Sequence, residues 1–271
     1  MKNGLLLMAA AAAACGAAPA AAQTATGLSL GLEVLDYNYR ERDGGAPVVF
    51  DDGVMTGLDI GYTGHITHDL LFSVRVAGRT GEIDYRSDDG ERLENIDQSV
   101  GQLDLRLVHD VRLSPRAVLS PFVGIGHRLL EDESGGATTA AGAAGYDREI
   151  SYTYVPVGTT LSFGTSARST VSFSAEYDFI VSSRFKTQLS DVDRSLPNLD
   201  LGGRGGHGVQ VSATITRPIG RRRALEIGPF LRHWDVERSD SYRLTVPGAT
   251  VEFFEPDNRT TEWGLRVGFR F

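Results

Sequence analysis

The chain is dominated by an alternation of apolar and polar residues with period 2, the spacing of strands that keep one face in an apolar medium. Near the C-terminus, Thr261, Trp263, Leu265, Val267, Phe269 and Phe271 alternate with Glu262, Gly264, Arg266, Gly268 and Arg270. Leu103, Leu105 and Leu107 alternate with Gln102, Asp104 and Arg106, and Val209, Val211 and Ala213 with Gln210 and Ser212. The pattern predicts ten strands, at about 28–40, 53–64, 70–85, 95–113, 118–130, 147–163, 170–185, 206–216, 224–238 and 259–271. It slips phase at Val34-Leu35 and around residues 78–81, where the alternation by itself predicts bulges.

The connections alternate in kind. Short turns fall near 65–69, 114–117, 164–169 and 217–223. Longer polar or Gly/Ala-rich loops fall near 41–52, 86–94, 131–146, 186–205 and 239–258. An even strand count with short turns at one end and long loops at the other is the plan of an antiparallel transmembrane β-barrel. A soluble β-sandwich would use the same alternation, but polar faces dense in opposite charges and glycine suit a narrow lumen better. Aromatic residues fall in two bands, as interfacial girdles do. Phe72, Phe163, Phe173, Phe269 and Phe271 lie near the short turns; Tyr37, Tyr39, Tyr85, Tyr152, Tyr154, Tyr177, Phe179 and Trp263 lie toward the long loops. Several strands exceed the roughly 9–11 residues that cross a bilayer, so they are expected to project beyond it.

Lys2, an apolar run over 4–15, Pro19 and Ala20-Ala21-Ala22 before Gln23 form the pattern of a secretory signal peptide. This divides the chain into an export signal, 1–22, and one barrel domain, 23–271. A lipoprotein reading would use Cys15, but Ala12-Ala13-Ala14 before it lacks the usual Leu. The 271 residues carry 27 Lys and Arg against 35 Asp and Glu, a net charge of −8, which excludes the basic surface of a nucleic-acid binder. One cysteine excludes a disulfide framework and a cysteine zinc site. A mean hydropathy of −0.16 would pass for a soluble protein, because averaging cancels an alternating pattern.

The last strand, Glu262-Trp263-Gly264-Leu265-Arg266-Val267-Gly268-Phe269-Arg270-Phe271, resembles the final strand of Gram-negative outer-membrane β-barrels. The strand plan resembles the ten-stranded omptin-like group, which includes surface proteases and adhesins. The resemblance implies residence in the outer membrane, contact with its lipid and lipopolysaccharide, and recognition of Phe271 by the barrel assembly machinery. It also implies a monomer.

The charged residues on the polar faces include Glu33, Asp59, Arg75, Arg79, Glu82, Asp84, Asp104, Arg106, Asp110, Arg112, Arg128, Glu149, Glu176, Asp178, Glu226, Arg232, Glu262, Arg266 and Arg270. Ten strands leave a narrow interior, and these side chains should fill it as ion pairs, which argues against general porin activity. Arginine in place of lysine suits multidentate ladders. The role expected is structural, surface-interacting or small-solute-passing. The alternative, implied by the resemblance, is a surface endopeptidase in which Glu82 and Asp84 face His233 and Asp235 across an extracellular cleft and activate water. Here the order is His-Trp-Asp where the group has Asp-x-His, and Glu82 replaces one Asp. No Gly-x-Ser-x-Gly elbow marks a hydrolase. Glu131-Asp132-Glu133 and Asp191-x-Asp193 have the chemistry for Ca²⁺ but read better as solvated runs, so neither cofactor nor metal is expected. Arg221-Arg222-Arg223 reads as a solvated turn, residues 135–145 as a mobile low-complexity segment, and Glu255-Pro256-Asp257-Asn258 as a defined turn.

Overall fold

The computed structural model describes residues 24–165, 168–220, 223–246 and 249–271. The expected signal segment with Cys15, and Arg221-Arg222, lie outside the described residues. Strands follow in the order β1 (Gly27–Asp43), β2 (Ala46–His65), β3 (Leu70–Ser87), β4 (Arg92–His109), β5 (Val111–Ser114), β6 (Ala117–Glu133), β7 (Arg148–Gly164), β8 (Thr170–Thr187), β9 (Leu199–Gly203), β10 (Gly206–Ile219), β11 (Arg223–Val236), β12 (Tyr242–Val246), β13 (Ala249–Phe253) and β14 (Asp257–Arg270).

Ten of these are the staves of a closed antiparallel barrel. β1 through β4, then β6, β7, β8, β10, β11 and β14, pair each with the next, and β14 returns to β1 with Leu32 opposite Val267. β5 carries the path of β4 onward against β6, β9 extends the sheet beside β8, and β12 and β13 form a separate hairpin. All ten expected strands are present.

β1 and β2 are 17 and 20 residues long. At about 3.4 Å per residue and a tilt of about 40°, 17 residues rise about 42 Å, well past an apolar band of about 25 Å. The first two expected loops are therefore strand. β1 turns into β2 at Gly44-Gly45, both in the left-handed region (φ 56° and 87°) that only glycine enters freely, and β3 turns into β4 over 88–91. Three long connections remain, over 134–147, 188–205 and 237–256. The segment 135–145, expected to be mobile, closes on itself through a Thr138–Ala144 bridge and an Ala143 N–H donated to Thr139 Oγ1 at 2.9 Å.

The two expected bulges are absent. β1 pairs without a shift through Val34-Leu35, and β3 through 78–81. The register shifts lie higher, between Glu41 and Arg42 and between Ile83 and Tyr85. What changes at Val34 is the solvent outside. Leu30, Leu32 and Val34 face outward and are exposed, with Glu33 buried behind them. Above them Asp36, Asn38 and Arg40 take the outward positions, and Leu35, Tyr37 and Tyr39 are buried. The strand keeps its facing while lipid gives way to water, so the polarity of the two faces inverts. Tyr37, Tyr39, Tyr152 and Tyr154 are accordingly interior residues; Tyr177, Phe179 and Trp263 alone in that band are exposed on the outside.

Candidate functional site

The interior is built in three layers. In the membrane-level layer, the inward positions of neighbouring staves carry opposite charges. Glu33 accepts from Arg75 at 2.6 Å, Arg79 at 2.8 Å and Arg232 at 2.8 Å. Arg232 continues to Glu262 at 3.2 Å, and Glu262 also pairs with Arg128. Asp59 joins Arg266 at 2.8 Å, and Glu226 joins Arg266 at 3.1 Å and Arg270 at 2.7 Å. On the opposite wall Arg106 pairs with Glu176 at 2.9 Å, and Tyr154 donates to Asp104 at 2.7 Å. Arginine's fork lets one cation serve two or three carboxylates from different strands, which ties staves across the barrel.

Above the ions lies an aromatic layer. Trp234 of β11 stands 5.2 Å from Tyr152 and 5.0 Å from Tyr154 between ring centroids, with the Arg128 guanidinium 5.4 Å from its ring. The rings fit because two facing residues lack side chains. A Cβ on Gly126 would lie 2.2 Å from the Tyr154 ring, and one on Gly208 would lie 2.6 Å from Trp234. Trp234, Tyr154, Arg128 and Glu262 are each 0 % exposed. Tyr152, Glu33 and Arg79 beside them are buried as well.

At the extracellular mouth, Arg148 of β7 gathers carboxylates from four elements. It pairs with Glu41 of β1, with Asp132 of β6 at 2.8 Å, with Asp51 of β2 at 3.6 Å, and with Glu255 before β14 at 3.9 Å. Tyr39 donates to Glu41 at 3.0 Å. Burial, reinforced by repulsion from Glu41 and Asp132 against the pull of Arg148, holds the Glu255 carboxyl up at about 8. Burial likewise raises the Tyr146 phenol to about 12. Glu255 anchors the last loop: its N–H donates to Ser239 Oγ at 2.8 Å, and Ser239 N–H to the Glu255 carbonyl at 3.0 Å.

The expected endopeptidase residues do not assemble. Glu82 and Asp84 flank the buried Ile83 and point out of the barrel, where Asp84 accepts the Asn95 N–H at 3.2 Å. His233 and Asp235 flank the buried Trp234 and also point out. His233 bonds Thr261 Oγ1 at 2.9 Å, and Asp235 pairs with Arg259 at 2.6 Å. β3 and β11 are separated by β14, β1 and β2, so two pairs on the outer wall share no cleft. None of the six histidines is buried in the interior. Glu149 also differs from expectation: it faces outward and pairs with Lys186 at 2.7 Å. The run Glu131-Asp132-Glu133 is split by the strand alternation, Asp132 buried inward and its two neighbours exposed. Asp191 accepts the Asp147 N–H from another loop at 3.1 Å, and Asp193 accepts the Ser195 N–H within its own turn at 2.8 Å.

Sequence reasoning passed over Arg148, Asp51 and Trp234. Their facing depends on which end of a strand lies in lipid, and the phase slips at Val34 and 78–81 were the available sign of it.

The sequence matches the family described as "Outer membrane protein beta-barrel domain" over residues 7–214. No curated protein matches it significantly. Among solved structures, the outer membrane protease OmpT of Escherichia coli is 9 % identical at a TM-score of 0.60, covering 90 % of this chain and 97 % of that one. The transport unit of the autotransporter AIDA-I from Escherichia coli is 7 % identical at a TM-score of 0.48, over 92 % and 91 % of the two chains. The translocator domain of the autotransporter NalP from Neisseria meningitidis is 11 % identical at 0.43, over 93 % and 91 %. At these identities the likeness to OmpT is one of fold.

Proposed function

Because the chain belongs to the outer membrane protein beta-barrel domain family, we propose that it is a closed barrel of the outer membrane that acts through its extracellular face, without passing solute through its centre. The observation that carries this is the sealed layer at Trp234, Tyr154, Arg128 and Glu262, each fully buried and contributed by a different stave. Glu262 pairs with both Arg128 and Arg232, so neither it nor Arg128 can move aside without stranding a partner in a low-dielectric interior. The extended strands, the loops over 134–147 and 188–205, and the described parts of 237–256 then form a platform above the membrane, the part of the molecule available to other molecules. The outward apolar band, from Leu28 to Val34 on β1 and Trp263 to Phe269 on β14, supports contact with lipid.

The endopeptidase alternative has no side-chain support, because its four residues point away from the interior. Planar-bilayer recording of the refolded protein is the test. The expected result is a baseline without unitary steps, and steps with a linear current–voltage relation would overturn the proposal.

A further inference from the structure

Two arginines stand in the outward-facing wall, at its short-turn end, without a carboxylate. On β10 the outward positions run Val209, Val211, Ala213, Ile215, Arg217 and Ile219, and on β11 Leu231, Pro229, Ile227, Leu225 and Arg223. The acid at this level, Glu226, is buried on the inward side and held by Arg266 and Arg270. Among the described residues neither Arg217 nor Arg223 forms an ion pair, and both are exposed.

The register brings the two together. Arg217 lies opposite Leu225 and Ile219 opposite Arg223, so the arginines are diagonal neighbours across the ladder, about 7–8 Å apart at the backbone. Two guanidiniums at that spacing can both reach one phosphate, each offering a fork of N–H donors. Their surroundings are apolar. Ile215, Ile219, Ile227, Phe269 and Phe271 are between 44 % and 51 % exposed. Leu225 pairs with Phe269, and the Arg223 guanidinium lies 5.8 Å from the centre of the Phe271 ring.

Depth sets the medium at this place. Trp263 stands opposite Asp36, where the outward residues of β1 turn polar. Phe269 and Phe271 follow further along the chain, a drop of about 16–21 Å at about 3.4 Å per residue and a tilt of about 40°. An apolar band of about 25 Å therefore ends close to Arg217 and Arg223. A lipid-facing arginine is costly at the bilayer midplane but cheap at headgroup level, where phosphate is at hand.

We infer that Arg217 and Arg223 together bind the phosphate of one anionic phospholipid in the periplasmic leaflet, with its acyl chains against Ile215, Ile227 and Phe269. An acidic headgroup suits two cations that lack a carboxylate of their own, whereas a zwitterionic one brings its own ammonium. The inference rests on the reading of the chain as an outer-membrane barrel and adds a lipid class and a place to it.

The test uses the full chain folded in detergent micelles. It is titrated with phosphatidylglycerol or with phosphatidylcholine of the same acyl chains and read by native mass spectrometry. The parent should retain one phosphatidylglycerol with a preference of about tenfold or more over phosphatidylcholine. The preference should be lost in Arg217→Gln/Arg223→Gln and kept in Arg184→Gln/Arg243→Gln, which removes the same charge from the extracellular side. Equal retention of the two lipids by the parent, which needs no variant, would overturn the inference. So would a preference that survives Arg217→Gln/Arg223→Gln, or an equal loss in both double variants. Inorganic phosphate should leave the lipid in place, and displacement by it would overturn the lipid in favour of a free oxyanion. A heat-modifiable shift on gel electrophoresis checks the fold of each sample; its absence from the parent would refute the barrel reading itself, and the inference with it.

Discussion

Replacing Glu255 by Gln should make the protein more stable at pH 8 and remove part of its pH dependence. Glu255 is buried at the mouth, 3.9 Å from Arg148 at its nearest and repelled by Glu41 and Asp132. Its carboxyl is held at about 8, against an ordinary 4.5 in an unfolded chain. The native state therefore binds a proton here that the unfolded state releases, across the window from about 4.5 to about 8. Stability from this group is fully present below the unfolded value and is lost as pH rises through the folded one. Inside the window the slope is at most about 1.4 kcal/mol per pH unit. Gln keeps the shape and hydrogen-bonding capacity of the protonated acid and has nothing to release. Guanidinium unfolding in EDTA, followed by tryptophan emission from Trp234 and Trp263, measures it. With m of about 3 kcal/mol/M, the parent midpoint should fall by up to about 0.5 M per pH unit between pH 5 and 8. The variant should show a flatter profile that crosses above the parent at the alkaline end. A parent profile flat or rising over that range, or a variant with an unchanged slope, would refute the reasoning.

Arg148→Met leaves four buried carboxylates without their shared cation and should cost about 3–5 kcal/mol at pH 8, less at pH 5 where protons replace it; denaturant midpoints at the two pH values check this. Trp234→Ala should cost about 3–5 kcal/mol by thermal or denaturant unfolding, since it empties the layer that seals the interior. Gly126→Ala places a methyl 2.2 Å from the Tyr154 ring and should cost about 1–3 kcal/mol in the same assay. Glu82→Gln, on the outer wall, should stay within about 0.5 kcal/mol of the parent, and a large loss would mean that Glu82 has a partner in the interior.

The barrel was legible because its signal is redundant. Ten strands repeat one alternation, and an error of a few residues at a boundary leaves the count intact. The site was less legible for a reason specific to membrane barrels. A residue's facing can be read from period 2 only if the medium on each side is known, and these strands pass from lipid into water partway along. Glu82 and Asp84 are polar, and so were expected in the lumen with Arg75 and Arg79. They are polar because they lie above the membrane, where the outside is water and the inside is Ile83 and Tyr85. The same inversion moves His233 and Asp235 outward and Trp234 inward on β11.

A phase slip and a bulge can be told apart in such a chain, and β8 supplies the contrast. On β1 the apolar residues change parity, from Leu28, Leu30, Leu32 and Val34 to Leu35, Tyr37 and Tyr39, while the buried positions stay odd throughout. On β8 the buried positions themselves change parity, from Glu176, Asp178 and Ile180 to Ser183, Phe185 and Thr187, with Val181 and Ser182 both exposed. The partner strand registers the difference: β7 pairs with β8 through a shift at Thr153/Tyr154, whereas β2 and β14 run past Leu35 without one. A true bulge adds a residue that its neighbour must absorb; a change of medium adds none. An apparent slip whose parity change spares the register thus marks the membrane boundary. On β1 that boundary falls between Val34 and Asp36, with Trp263, the amphipathic ring favoured at such a level, directly across from Asp36 on β14. Everything that Arg148 gathers from β1, β2, β6 and the last loop lies on the water side of that line, above the ionic layer that Glu33 anchors.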